Sequence, residues 1–221
     1  MSIILNIDTA TENAQVSIAK DGIILQHLDN VHQKNHAQFL QPALQKILLS
    51  TGILINDVDA IAVTAGPGSY TGIRVGMASA KGLCYALNKP LITINTLEVL
   101  TIAAQANTTT SSLFCPMIDA RRMEVFTALY NTLLTPLLAP CALILNENSF
   151  ATYLQTTPIS FFGSGAFKWQ TLCKHTNASF ITTLNTPVAM ANLAAKYFTK
   201  SQFAPLAYSQ PIYCKEFMDN V

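Results

Sequence analysis

Residues 66–76, Gly-Pro-Gly-Ser-Tyr-Thr-Gly-Ile-Arg-Val-Gly, concentrate the residue types that can hold an anion. Gly66, Gly68 and Gly72 permit close backbone approach, and Ser69 and Thr71 supply hydroxyls. The helix expected next would begin with N–H groups that lack intrahelical partners. Gly68 is expected at positive φ, where a β-branched residue would not fit. The spacing is not that of a P-loop, since Arg74 stands where no P-loop lysine could; nor is it the dinucleotide fingerprint, whose third glycine is replaced by Thr71. Two aspartates complete the candidate site. Asp8, followed by Thr9, and Asp119 each end a buried strand and open a tight turn. Glycine two residues after such an aspartate would let a phosphate come close to the backbone, and here Ala10 and Arg121 stand there. The extra Cβ crowds the position, so the set is expected to be vestigial, with both aspartates capping their own turns. His32 and His36 lie four apart and could share a helical face toward a metal, but they read as helix-entry residues. No metal and no cofactor are expected.

The elements that must position these residues follow from periodicity. Residues 2–8, 14–20 and 23–28 form an antiparallel meander, with Lys-Asp-Gly as a tight turn. From His36 the apolar stripe Phe39, Leu40, Ala43, Leu44, Ile47, Leu48 predicts a helix that Gly52 ends. A buried strand at 59–64 enters the glycine loop, and a helix runs on to about residue 88. A strand at 90–94 precedes a helix over 96–107 that Thr96 is expected to cap. The second half repeats the plan. A strand ending at Asp119, a turn and a return strand (124–130) are followed by a strand at 159–162 and a glycine turn, 163–165, opening a helix to about 175. A last helix spans 187–200. The layout predicts an α/β protein of duplicated halves with mixed sheets, the actin-like, ribonuclease-H-like arrangement, divided into 1–107 and 108–221.

Composition narrows the functions. Half of the 221 residues are apolar and only 11% are charged, which excludes disorder and a coiled coil. A net charge of +1 offers no bulk attraction to nucleic acid or an anionic membrane. The five cysteines form no Cys-x-x-Cys pair and are expected as buried thiols in a reducing cytoplasm. No apolar run is long enough to span a bilayer, and the first residues lack the basic stretch of a signal peptide.

The string GPGSYTGIRVGMASAKGL closely resembles the signature of the TsaB family. ILNIDTATENAQVSI, HAQFLQPALQKIL, MIDARRMEVFTALY and GSGAFKW agree in order and spacing, and PIYCKEF agrees loosely, since the family more often has Leu-Arg after that tyrosine. The resemblance implies an actin-like fold of the heat-shock and sugar-kinase kind (ASKHA). It implies a non-catalytic subunit that binds its paralogue TsaD as a heterodimer, with TsaE joining the assembly. That assembly transfers a threonylcarbamoyl group to the adenosine beside the tRNA anticodon. Alone, such a chain pairs with itself; tRNA is met through the complex. The catalytic paralogue holds a metal through His-x-x-x-His, and the matching positions here are Thr96 and Leu100, which are not strong ligands. This argues against a metallopeptidase, as Ala10 argues against an actin-like ATPase or phosphotransferase. The pairing surface is expected on the first two helices: Phe39, Leu40, Leu44 and Ile47 on one, and the small stripe Gly72, Gly76, Ala80 on the next.

Overall fold

A computed structural model describes residues 1–30, 36–108, 112–183 and 186–215. His32, and with it the His32/His36 pair, lies outside the described residues. In chain order the elements are β1 (Ile3–Asp8), β2 (Ala14–Lys20), β3 (Ile23–Asn30), α1 (His36–Thr51), β4 (Ala60–Gly66), α2 (Tyr70–Leu87), β5 (Leu91–Asn95) and α3 (Thr96–Gln105). Then follow β6 (Leu113–Asp119), β7 (Glu124–Asn131), β8 (Pro136–Ile144), α4 (Ala151–Leu154), β9 (Ile159–Phe162), α5 (Ala166–Gln170), β10 (Ala178–Phe180) and α6 (Thr186–Thr199).

Two five-stranded sheets carry the same topology. The first has the order β3-β2-β1-β4-β5; the second, read from its meander edge, is β8-β7-β6-β9-β10. In each, three antiparallel strands are followed by two parallel ones. The duplicated, actin-like plan with mixed sheets is therefore present strand for strand. β1 and β4 are buried almost throughout, as central strands covered on both faces must be. β3 alternates between exposed and half-buried residues, as an edge strand does. Two strands escaped the sequence reading. β8 contains Pro136 and Pro140, which break its pattern and are tolerated only because it is an edge. β10 has three residues, too few to show a period.

The chain separates into Met1–Thr96 with Asn185–Ile212, and Leu97–Leu184 with Tyr213–Val221. This corrects the expected division at 107/108. α3 joins the second unit, where Leu97, Leu100 and Ala104 pack with Phe114, Ile118, Tyr130 and Phe162. α6 joins the first, lying across β1, β2, β3 and β5 with Ala189, Met190, Leu193 and Ala194 buried. Each sheet has two apolar faces, and its own first helices cover only one. In the first unit α1 and α2 bring Leu40, Leu44, Ile47, Met77 and Cys84 against Leu5, Ile7, Val16 and Val63. In the second, Trp169 is fully buried among Phe150, Phe161 and Phe180. α5 is shorter than expected, ending at Gln170.

Leu193 is 2% exposed. Its replacement by alanine should lower stability by about 2–4 kcal/mol, read by urea unfolding. A loss below about 1 kcal/mol would mean that α6 is not part of this core.

Candidate functional site

The first candidate site is the turn after β1 and the glycine loop into α2. Asp8 is 6% exposed, and its Oδ1 accepts the Ala10 N–H at 3.1 Å and the Thr64 hydroxyl at 2.8 Å. Burial pushes its pKa above the ordinary value; the Ala10 N–H, the Thr64 hydroxyl and His36 pull the other way and only partly offset it. The Asx bond to Ala10 is the expected turn cap. The Thr9 hydroxyl donates to the Gly72 carbonyl at 2.7 Å. The Ser69 N–H donates to the Ala10 carbonyl at 2.7 Å. His36 Nε2 donates to the Thr11 carbonyl at 2.9 Å, which fixes its tautomer, and Nδ1 has no partner among the described residues.

The glycines serve this contact. A Cβ at Gly68 would run into the Ala10 carbonyl, one at Gly72 into the Thr9 carbonyl, and one at Gly76 into the Thr9 hydroxyl, with Val63 at 3.4 Å and Ile7 at 3.5 Å beyond it. The residue at positive φ is Gly66, at +109°, not Gly68. Gly68 is required by close approach rather than by backbone angle. Ser69 is the N-cap of α2, its Oγ accepting the Gly72 N–H at 3.2 Å, while Thr71 is exposed. Two of the donors at this helix start are thus spent. The Ser69 N–H is used by Ala10 and the Gly72 N–H by Ser69, so the turn's own Ala10 carbonyl takes a donor at the helix start.

The second unit holds Asp119 differently. Its Oδ1 accepts the Arg121 N–H at 2.6 Å, again an Asx turn, and pairs with Lys168 Nζ at 2.6 Å. Burial alone would raise this carboxyl, but Lys168 and the Arg121 N–H outweigh it and hold the group below its ordinary value. Lys168 Nζ also donates to the Glu124 carbonyl at 3.2 Å, and Ser164 Oγ accepts the Asp119 N–H at 3.1 Å. Sequence reasoning missed Lys168. Its signal was a lysine three residues after the glycine turn 163–165, which mattered only once α5 and β6 were side by side.

The expected pairing residues are corrected here. Leu40, Leu44 and Ile47 are buried in the first core and Phe39 packs against it. Gly72, Gly76 and Ala80 face the protein's own β1 turn and β4 rather than solvent. The apolar and small stripes marked the inner faces of the helices, because the sheet needed them first. The outer faces carry other residues. Leu49 is 76% and Tyr85 83% exposed, Ala78 and Gly82 are exposed, and a Cβ on Gly82 would meet nothing within 4 Å. Gln41 Nε2 donates to Ser79 Oγ at 3.1 Å, tying the two helices along this side. An open groove of about 500 Å³ is lined by Pro42, Gln45, Lys46, Leu49 and Ser50. Thr96 begins α3, but its buried hydroxyl has no partner among the described residues, so it does not cap; Leu100 is packed in the second unit.

Comparison with known proteins places this geometry. The family model for TsaD, tRNA N6-adenosine threonylcarbamoyltransferase, matches residues 27–216. The tRNA threonylcarbamoyladenosine biosynthesis protein TsaB of Escherichia coli is 36% identical over 127 residues, 58% of this chain and 54% of that protein. TsaB of Bacillus subtilis is 34% identical over 127 residues, 58% of this chain and 54% of that one. The chain thus spans about half the length of the curated relatives it matches. The solved structure of YeaZ from Pseudomonas aeruginosa superposes with a TM-score of 0.79 at 24% identity, covering 96% of this chain and 100% of that one, and so shares its fold.

Two outcomes test the sealed turn. Because the fold raises the Asp8 pKa, that group's contribution is fully present below the ordinary carboxylate value of 3.8 and is lost as pH rises through the folded value. Asp8→Asn should therefore be at least as stable as the native chain at pH 7, with the advantage vanishing below pH 3.8, in paired thermal melts. A variant clearly less stable at pH 7 would show that the charge itself is needed. Gly76→Ala should cost roughly 1–3 kcal/mol in urea unfolding, since even one methyl meets Thr9 and cannot be absorbed; an unchanged midpoint would disprove the close contact.

Proposed function

The chain belongs to the TsaD family, tRNA N6-adenosine threonylcarbamoyltransferase, in its TsaB (YeaZ) branch, and from that premise we propose that it is a non-catalytic subunit of a tRNA-modifying assembly. In this reading it binds a TsaD subunit as a heterodimer, and with it TsaE, in the cytoplasm. It supports transfer of the threonylcarbamoyl group to the adenosine next to the anticodon. Without that partner it pairs with a second copy of itself. The observation that carries the non-catalytic part is the Ser69–Ala10 bond: the loop that would cradle a phosphate grips the protein's own turn. The Asp119–Lys168 pair supports the same conclusion for the second unit, since its carboxylate already has a cation.

The outer sides of α1 and α2 fit the pairing role. Ala78 and Gly82 keep the α2 surface low, so a facing helix can come close, and Tyr85 and Leu49 offer large apolar area to bury. Arg74 stacks over the Tyr70 ring at 4.5 Å near the start of α2, adding a planar cation to the rim.

Gly82→Arg separates pairing from folding. The position is open, so the isolated chain should keep its stability or gain up to about 1 kcal/mol from better helix propensity. Co-elution with TsaD, and self-pairing of the chain alone, should weaken by roughly tenfold or more, because the long side chain holds the facing helix away. Wild-type co-elution by a folded Gly82→Arg variant would place the pairing surface elsewhere. Loss of modification activity when the chain is omitted from a reaction containing TsaD and TsaE would test the subunit role directly.

A further inference from the structure

The chain contains three arginines against ten lysines, and two of the three, Arg121 and Arg122, are consecutive on the turn between β6 and β7. Both are exposed, and both sit at positive φ, 69° and 46°. Glycine or asparagine is the residue such angles favour, so local backbone preference opposes what the sequence puts there. The acids beside them do not neutralise them. Asp119 is paired with Lys168 at 2.6 Å, and Glu124 with Lys215 at 2.9 Å. Those two pairs cancel, leaving the turn with the charge of its two guanidinium groups. Phe167, directly before Lys168 on α5, is 73% exposed, although its neighbours Ala166 and Trp169 are buried. Lys168 reaches from that helix to Asp119 and to the Glu124 carbonyl, which anchors the Phe167 segment beside the base of the turn.

We propose that Arg121, Arg122 and Phe167 form an RNA-contacting surface on the second unit, the arginines gripping consecutive phosphates and the phenyl ring stacking on an unpaired base. The planar fork of arginine matches a phosphate in two parallel hydrogen bonds, which a lysine cannot do. An exposed aromatic ring on the segment that Lys168 ties to the turn offers a platform to any base, with the arginines as a cationic track for the backbone. An acidic protein segment would meet the same charge, and the TsaD co-elution arm of the test separates that outcome from RNA contact. Two phosphate contacts are too few for tight binding by this chain alone, in keeping with its net charge of +1, so the surface adds to what an assembly provides. The inference rests on the tRNA-assembly reading above for the identity of the RNA.

The test is titration with unmodified tRNA transcript of the isolated chain at low salt and of its complex with TsaD across a salt series. Arg121→Asn/Arg122→Asn removes both charges and eases the backbone, so it should fold at least as well as the native chain. RNA affinity should fall about tenfold in both formats, and the slope of log K against log salt should become shallower by about 1.5. Arg121→Lys/Arg122→Lys should retain that slope with intermediate affinity, and Phe167→Ala should weaken binding without changing the slope. Neutralising Lys196 on α6 and Lys200 just after it makes the same change in net charge and should have no comparable effect. Unchanged affinity and slope in the Asn variant would overturn the proposal. Loss of TsaD co-elution with unchanged RNA binding by the isolated chain would also overturn it and assign the arginines to a protein contact. If the native chain fails to pair with TsaD while the isolated chain still loses RNA affinity in the variant, the surface stands and the assembly reading falls.

Discussion

The first unit is organised around a backbone-to-backbone contact, in which the turn 9–11 lies on the first turns of α2. The Thr9 hydroxyl reaches the Gly72 carbonyl, the Ala10 carbonyl takes the Ser69 N–H, and the Thr11 carbonyl takes His36 from α1. No side chain fits between the surfaces, so glycine stands at 68, 72 and 76. Buried polar groups this close are largely satisfied by one another. The contact joins β1, α1 and α2 at one corner and fixes the direction in which α2 leaves the sheet. The Asp8 carboxylate is drawn into the same corner, where Thr64 and the Ala10 N–H hold it.

This closure has a chemical consequence. A turn and helix start that could receive an anion instead receive a carbonyl of the same chain. The second unit has the same topology, yet its aspartate is matched by the Lys168 ammonium. The two repeats thus hold the corresponding aspartates by different partners, one by hydrogen bonds from Ala10 and Thr64 and one by the charge of Lys168. What remains available on the first unit is the outer side of α1 and α2, where exposed large apolar residues stand beside small ones. A protein whose interior positions are committed and whose helices still present such a face is suited to assembly, which is the basis of the proposed subunit role.

The glycine loop, the Asp-tipped turns, the first meander, the first hairpin of the second half and the repetition of the plan were all legible in the sequence, because each is a local pattern. Strand alternation, helical stripes and turn residues act over a few positions, and their spacing survives without knowledge of the partners. The family resemblance was legible for the same reason, residing in one contiguous string with its flanks in order. The Asx caps at Asp8 and Asp119 also needed only neighbouring atoms.

Tertiary structure alone decided which face of each pattern is inward. The stripe Gly72, Gly76, Ala80 has the spacing of a surface for a second helix, but the sheet and the Thr9 turn claim it, and the open positions lie at Ala78 and Gly82. Sequence period determines that residues share a face and is silent on what that face meets. The same limit hid α6 and α3, which pack outside the half that precedes each of them, because chain order does not reveal which sheet has an uncovered face. It also hid the Lys168–Asp119 pair, whose members lie 49 residues apart and meet only when α5 packs beside β6. Short-range preferences are written residue by residue along the chain; the allocation of apolar faces and charges among distant elements is settled by which arrangement leaves the fewest buried groups unmatched.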